Sequence, residues 1–145
     1  MKAMVLEAYN SPLKLQDLPT PTPGPREVLI KVDACGAGLT LHHSLRGTNK
    51  APLPAIVGHE VAGEVAALGP GAEGVAVGDK VTLYCILTCG RCRFCLSGRE
   101  SICEASPGMI GHVTPGGFAE FMTAPDRNVI KLPDALARDY QPAKW

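Results

Sequence analysis

Cys89, Cys92, Cys95 and Cys103 fall within the run CGRCRFCLSGRESIC, a C-x2-C-x2-C-x7-C spacing. Four thiolates gathered in one loop can close a tetrahedral cage around a zinc ion whose role is structural. Gly90 and Gly98 permit the tight backbone that such wrapping needs. Arg91, Arg93 and Arg99 lie around the cluster and can offset the charge of four thiolates. Two disulfides or free buried thiols are the plainer alternatives. They are disfavoured because nothing in the chain points to secretion. An iron–sulfur centre also uses thiolates at similar spacings, so the spacing by itself leaves iron open beside zinc. The remaining cysteines, Cys35 and Cys85, are expected to be buried thiols.

The elements that must hold this loop are short strands. Residues 1–8 (MKAMVLEA) and 13–19 (LKLQDLP) alternate apolar and polar positions, and 27–36 (EVLIKVDACG) is the best strand in the chain. Further strands are expected at 59–69, 79–85, 117–125 and 128–133, with a short helix over Leu39–Leu45. Between them, 16 glycines and 13 prolines mark turns, and TPTPGP at 20–25 excludes helix and inner strand. The pattern predicts a mainly β, barrel-like domain with a few short helices. GPGAEG at 69–74 matches G-x-G-x-x-G, but the strand-like VAVGDKV follows where a phosphate-binding helix would have to start. It is a hairpin loop. The 145 residues suffice for one core. Lys and Arg balance Asp and Glu, so no charged face argues for nucleic acid. The apolar runs are too short for a membrane span, and the first residues lack the apolar stretch of a signal peptide, so the expected location is cytoplasmic.

The cysteine run, with GHEVAGEVAALG at 58–69, VAVGDKV at 75–81 and GGFAEF at 116–121, resembles the zinc-containing alcohol dehydrogenases of the medium-chain dehydrogenase/reductase family. The resemblance extends from Met1 to about Pro133. It implies a GroES-like β-barrel over 1–138, a zinc lobe at about 85–105, a tail over 139–145 and no Rossmann domain in this chain. The four cysteines match the family's structural zinc ligands one for one. The catalytic half of the pattern departs from the family. Its catalytic zinc cysteine falls on Gly38, its acidic residue on Leu41 and its phosphate-side basic residue on Leu39. The resemblance places Thr40 and His43 in the proton relay, His59 as a catalytic zinc ligand and Glu60 as its acidic neighbour. A catalytic zinc needs about three protein ligands, and one alone holds a metal weakly.

These departures set the functional expectations. The chain is an oxidoreductase by family that does not oxidise alcohols alone, with one structural zinc and no binding of NAD(P) by itself. One alternative is a small hydrolase reusing Thr40, His43, His59 and Glu60. Another is a non-catalytic zinc module that self-associates through an exposed domain-junction surface. A small-molecule substrate is left unnamed. Adjacent His42 and His43 are expected as one surface and one buried histidine, His112 as exposed in its glycine-rich loop, and Cys35 as turned away from the Gly38 side. Tyr140 and Trp145 are expected to draw Asp139–Trp145 back onto the junction surface or a neighbouring chain.

Overall fold

Strict alternation in EVLIKVDAC puts Val28, Ile30 and Val32 on one face, and all three are buried. β-Branched residues at period two suit a pleated surface with one covered side. A computed structural model describes residues 1–139 and places this strand at the centre of a five-stranded sheet. The order along the chain is β1 (Lys2–Leu6), β2 (Lys14–Asp17), β3 (Glu27–Cys35), α1 (Leu39–Arg46), β4 (Ala55–Ile56), β5 (Val61–Leu68), β6 (Lys80–Leu83) and β7 (Ile86–Leu87). Then come α2 (Arg93–Leu96), a 3-10 turn at Glu100–Ile102, β8 (Gly108–Met109), β9 (Phe121–Pro125), a 3-10 turn at Asp126–Asn128, β10 (Val129–Lys131) and α3 (Asp134–Asp139). The molecule is mainly β. The tail expected to fold back lies, from residue 140 on, outside the described residues.

The large sheet runs β10-β6-β5-β3-β9, a second runs β2-β1-β4, and β7 pairs with β8. Every ladder between these strands is antiparallel. The core joins Val28, Ile30 and Val32 to Val61 and Val65 of β5, Val81 of β6, and Met122 and Ala124 of β9. Full burial of each such Val, Ile or Met side chain stabilises the fold by about 1.5–3 kcal/mol. The small sheet is sewn to the large one where Met4 N–H donates to Phe118 O (2.8 Å) and Glu120 N–H to Lys2 O (3.0 Å).

Two departures from the expected strands have physical causes. Along β3 the register passes from Val32↔Gly63 to Ala34↔Ala62, so Asp33 is bulged out. A bulge shifts the inward face by one residue. Cys35, rather than Ala34, therefore packs against the core, and its carboxylate neighbour Asp33 reaches Lys80 Nζ at 3.3 Å. The thiols of Cys35 and Cys85 are half-buried rather than buried. The second departure is at 59–69, where the strand begins only at Val61. Gly58 has φ +100, which turns the chain and leaves His59 and Glu60 in a bend before the ladder.

GPGAEG is indeed a connection between the antiparallel β5 and β6. It is pinned by Arg26, whose Nη1 lies 2.9 Å from Glu73 and whose Nε lies 3.0 Å from the buried Asp126. The turn that follows is held by Asp79. Its Oδ2 accepts from Ala76 N–H (2.8 Å) and its Oδ1 from Lys131 Nζ (2.6 Å). The Lys131 bond first, then the Ala76 bond, holds the Asp79 carboxyl below its ordinary 3.8. The folded form thus binds its proton less readily than the unfolded chain. The contribution is complete above the unfolded value and is lost as pH falls through the folded one. Lys131 is half-exposed, so solvent screening keeps the contribution small. Asp79→Asn is expected to lower the melting temperature at neutral pH, with the gap to the unmodified chain closing below about pH 4. Melting curves across that range test this, and a gap that stays constant would refute the linkage.

Candidate metal centre and a histidine cleft

Short helical turns present the four cysteines. Cys92 is the N-cap of α2, Cys95 lies buried within it, and Cys103 closes the 3-10 turn at Glu100–Ile102. Gly90 (φ +69) and Gly98 (φ +71) supply left-handed corners between them. All four Sγ atoms lie within 4.8 Å of one another, and no pair is bonded as a disulfide. The edges Cys92–Cys95, Cys89–Cys95 and Cys92–Cys103 measure 3.5, 3.9 and 4.0 Å. A tetrahedron with zinc–sulfur bonds of about 2.3 Å has edges of about 3.8 Å. The sulfurs therefore fit one ion. They stand too close for a cluster that interposes several irons and sulfides.

Ionisation within the cage is uneven. Backbone N–H groups of Cys95 and Glu104 bring the Cys92 thiol down to about 6. Burial, then the neighbouring Cys92 thiol, pushes Cys95 up to about 12. Of the three arginines expected around the cage, Arg93 pairs with Glu104 at 2.9 Å and lies over the Phe94 ring, and Arg99 covers the same ring. Arg127, which the spacing did not single out, packs its guanidinium on Gly90, where any Cβ would overlap it.

Beside β5 a second group converges. His59, His112, Ser44, Leu41 and the glycines Gly36, Gly38, Gly58 and Gly111 line a cavity of ≈ 10 Å³. Glu60 stands at its rim, with Oε1 4.0 Å from His59 Nε2. A Cβ at Gly38 would come 2.6 Å from Glu60 Oε1, so the carboxylate fills the space a side chain there would use. Gly38 is the N-cap of α1 and offers no donor. The family's catalytic metal therefore does not fit its usual ligand set here.

His112 corrects its expected exposure. It is half-buried, and its Nε2 lies 3.3 Å from Ser44 Oγ. The cause is backbone packing. Gly116 N–H donates to Ile56 O (2.7 Å), Gly117 N–H to Gly58 O (2.9 Å) and Phe118 N–H to Val57 O (3.1 Å), while Gly111 lies against the Gly58 carbonyl. The signal available was the density of glycine at 111, 116 and 117, which marks close approach of two backbones. His42 and His43 are both exposed, correcting the expectation that one is buried, because the only buried residue of α1 is Ser44. Neither Thr40 nor His43 lines the cavity. Cys35 does not line it either.

The alcohol dehydrogenase GroES-like domain family matches residues 24–134. The chain belongs to that family. This GroES-like domain is 38% identical over 140 residues to an alcohol dehydrogenase of Geobacillus stearothermophilus, covering 94% of this chain and 41% of that enzyme. It is 40% identical over 137 residues to an L-threonine 3-dehydrogenase of Pyrococcus abyssi, covering 92% and 38%. Among solved structures, a cobalt- and zinc-bound thermostable alcohol dehydrogenase of Pyrobaculum aerophilum superposes with a TM-score of 0.86 at 42% identity, covering 90% and 41%. The chain thus spans about two fifths of the length of the relatives it matches. Among the described residues, no helix is long and apolar enough to cross a membrane.

The contact between Arg127 and Gly90 generates a test. Gly90→Ala combines a left-handed φ with the guanidinium overlap and is expected to cost about 1–3 kcal/mol. Arg127→Ala should relieve part of that cost, so the double variant loses less than the two single losses added. Strict additivity in chemical unfolding would show that the guanidinium does not seat on Gly90.

Proposed function

We propose that the chain is the substrate-side domain of a zinc-containing alcohol dehydrogenase-type oxidoreductase, carrying one structural zinc on Cys89, Cys92, Cys95 and Cys103. The observation that carries the metal is that all four sulfurs lie within 4.8 Å of one another, with three of their six edges at 3.5, 3.9 and 4.0 Å, as a single four-thiolate ion requires. The zinc ties α2, the 3-10 turn at Glu100–Ile102 and the loop at Cys89 into one lobe. Its binding free energy is then folding free energy for that lobe.

On this reading the residues described here do not oxidise alcohols alone. Hydride transfer needs a nicotinamide ring held against the substrate carbon. The described residues form only antiparallel ladders between strands and hold no βαβ unit that would cradle a dinucleotide. Gly38 also removes a donor from the family's catalytic ligand set. NAD(P) binding and turnover therefore wait on a partner or a further domain.

Elemental analysis of the purified chain is expected to find zinc retained at the cysteine lobe. Cys92→Ser should lose that equivalent, lower the melting temperature and open residues 85–105 to proteolysis. Titration with NADH is expected to leave its fluorescence unchanged. A chelated chain with an unaltered melt would overturn the structural zinc. Tight NADH binding or alcohol-dependent NAD reduction by the chain alone would overturn the second half of the proposal.

A further inference from the structure

We propose that Arg127 is the counter-charge of the cysteine cage, a positioning residue held by the barrel that sets how firmly the lobe keeps its metal. This rests on the structural-zinc reading above and extends it to a side chain outside the lobe.

The first ground is charge. Four thiolates outweigh one divalent ion, so a cage of neutral thiols becomes a net anion on loading. A fixed cation beside it favours the loaded form. The arginines inside the lobe are already engaged or exposed. Arg93 pairs with Glu104 at 2.9 Å and lies 4.6 Å from the centre of the Phe94 ring, and Arg99 lies 5.0 Å from the same centre. Arg91 is exposed. Among the described residues, no carboxylate pairs with Arg127. Its guanidinium instead occupies the place of a Cβ on Gly90, the residue after Cys89.

The second ground is what Gly90 and its neighbours do. Gly90 N–H donates to the Cys95 sulfur, and the N–H groups of Arg91 and Cys92 donate to the Cys89 sulfur. Cys89 N–H donates to the Cys103 sulfur at 3.3 Å. The peptide groups of residues 89–92 thus form an outer layer around three of the four sulfurs. A guanidinium seated on Gly90 braces that layer. Partners outside the ligands orient them and tune the metal they hold.

The third ground is rigidity. Arg127 lies between two buried side chains in the 3-10 turn at Asp126–Asn128. Asp126 Oδ2 accepts from Glu73 N–H at 2.9 Å and lies 3.0 Å from Arg26 Nε. Asn128 Nδ2 donates to Tyr84 O at 2.7 Å and to Ile86 O at 2.8 Å. With both neighbours fixed, the barrel presents the Arg127 charge to the lobe already in place. Little ordering entropy then opposes the contact.

The test is competition for zinc(II) between the purified chain and a chelating dye. Arg127→Met keeps an unbranched stem and loses the charge. It is expected to bind zinc more weakly by roughly 10-fold or more, as for other outer partners of metal ligands. Arg127→Lys keeps the charge and should recover most of that loss. The gap between the unmodified chain and Arg127→Met should narrow in about 1 M salt, where screening acts over about 3 Å. Equal affinity in Arg127→Met overturns the proposal. Arg127→Lys as weak as Arg127→Met also overturns it, since packing rather than charge would then be at work. If Arg127→Met folds too poorly to load, Arg127→Lys decides. Affinity near that of the unmodified chain supports the counter-charge, and its loss overturns it. An unmodified chain that takes up no zinc overturns the structural-zinc reading and this proposal together, whereas a chain that holds zinc equally well without the Arg127 charge overturns this one alone.

Discussion

Contact between two bare backbones organises this domain. The segment Ile56–Gly58 takes three hydrogen bonds from Gly116–Phe118, and Gly58, Gly111 and Gly116 keep the interface free of side chains. Such proximity satisfies peptide groups that would otherwise be buried without partners. It also decides where the sheets meet, because Phe118 in turn accepts from Met4 of β1. The cleft follows from the same contact, since His59 comes directly after one segment and His112 lies just before the other. A side chain larger than hydrogen at Gly58 would strike Phe118 and the Cys35 sulfur together.

A second node links the loops to this frame. Within three residues, Asp126 accepts from Glu73 N–H at 2.9 Å, Arg127 covers Gly90, and Asn128 donates to the carbonyls of Tyr84 and Ile86 at 2.7 and 2.8 Å. Asn128 Oδ1 is buried without a partner, so the side chain is committed to its two donor bonds. The hairpin, the cysteine lobe and the strand leading to the lobe thus share one short anchor. The cage geometry consequently rests on barrel residues as well as on its own loop.

Much of this was legible in the chain. Val28, Ile30 and Val32 announced their strand by period two, and Cys89 to Cys103 announced a cage by spacing, because both signals are local. VAVGDKV after GPGAEG excluded a nucleotide loop for the same reason. Local pattern could not reveal the bulge at Asp33, which depends on the partner strand and turns Cys35 inward. Nor could it place His112. A histidine among glycines reads as exposed, and here those glycines admit a second backbone that covers it. The Ser44 contact spans 68 residues and leaves no mark in periodicity.

The stitch between Met4 and Phe118 also bears on the order in which the domain can be assembled. β1 is among the first residues made, yet its link to the large sheet waits for residues 118–120. β3 likewise waits for β9. Contacts of such long sequence separation form late and slowly. The four cysteines, by contrast, span a single short stretch and can gather on an ion before the Asp126–Asn128 anchor arrives to fix their geometry. During synthesis on the ribosome, a metal-bound lobe can therefore exist while β1 and β3 still lack their closing partners, leaving strand edges exposed until the last third of the chain emerges.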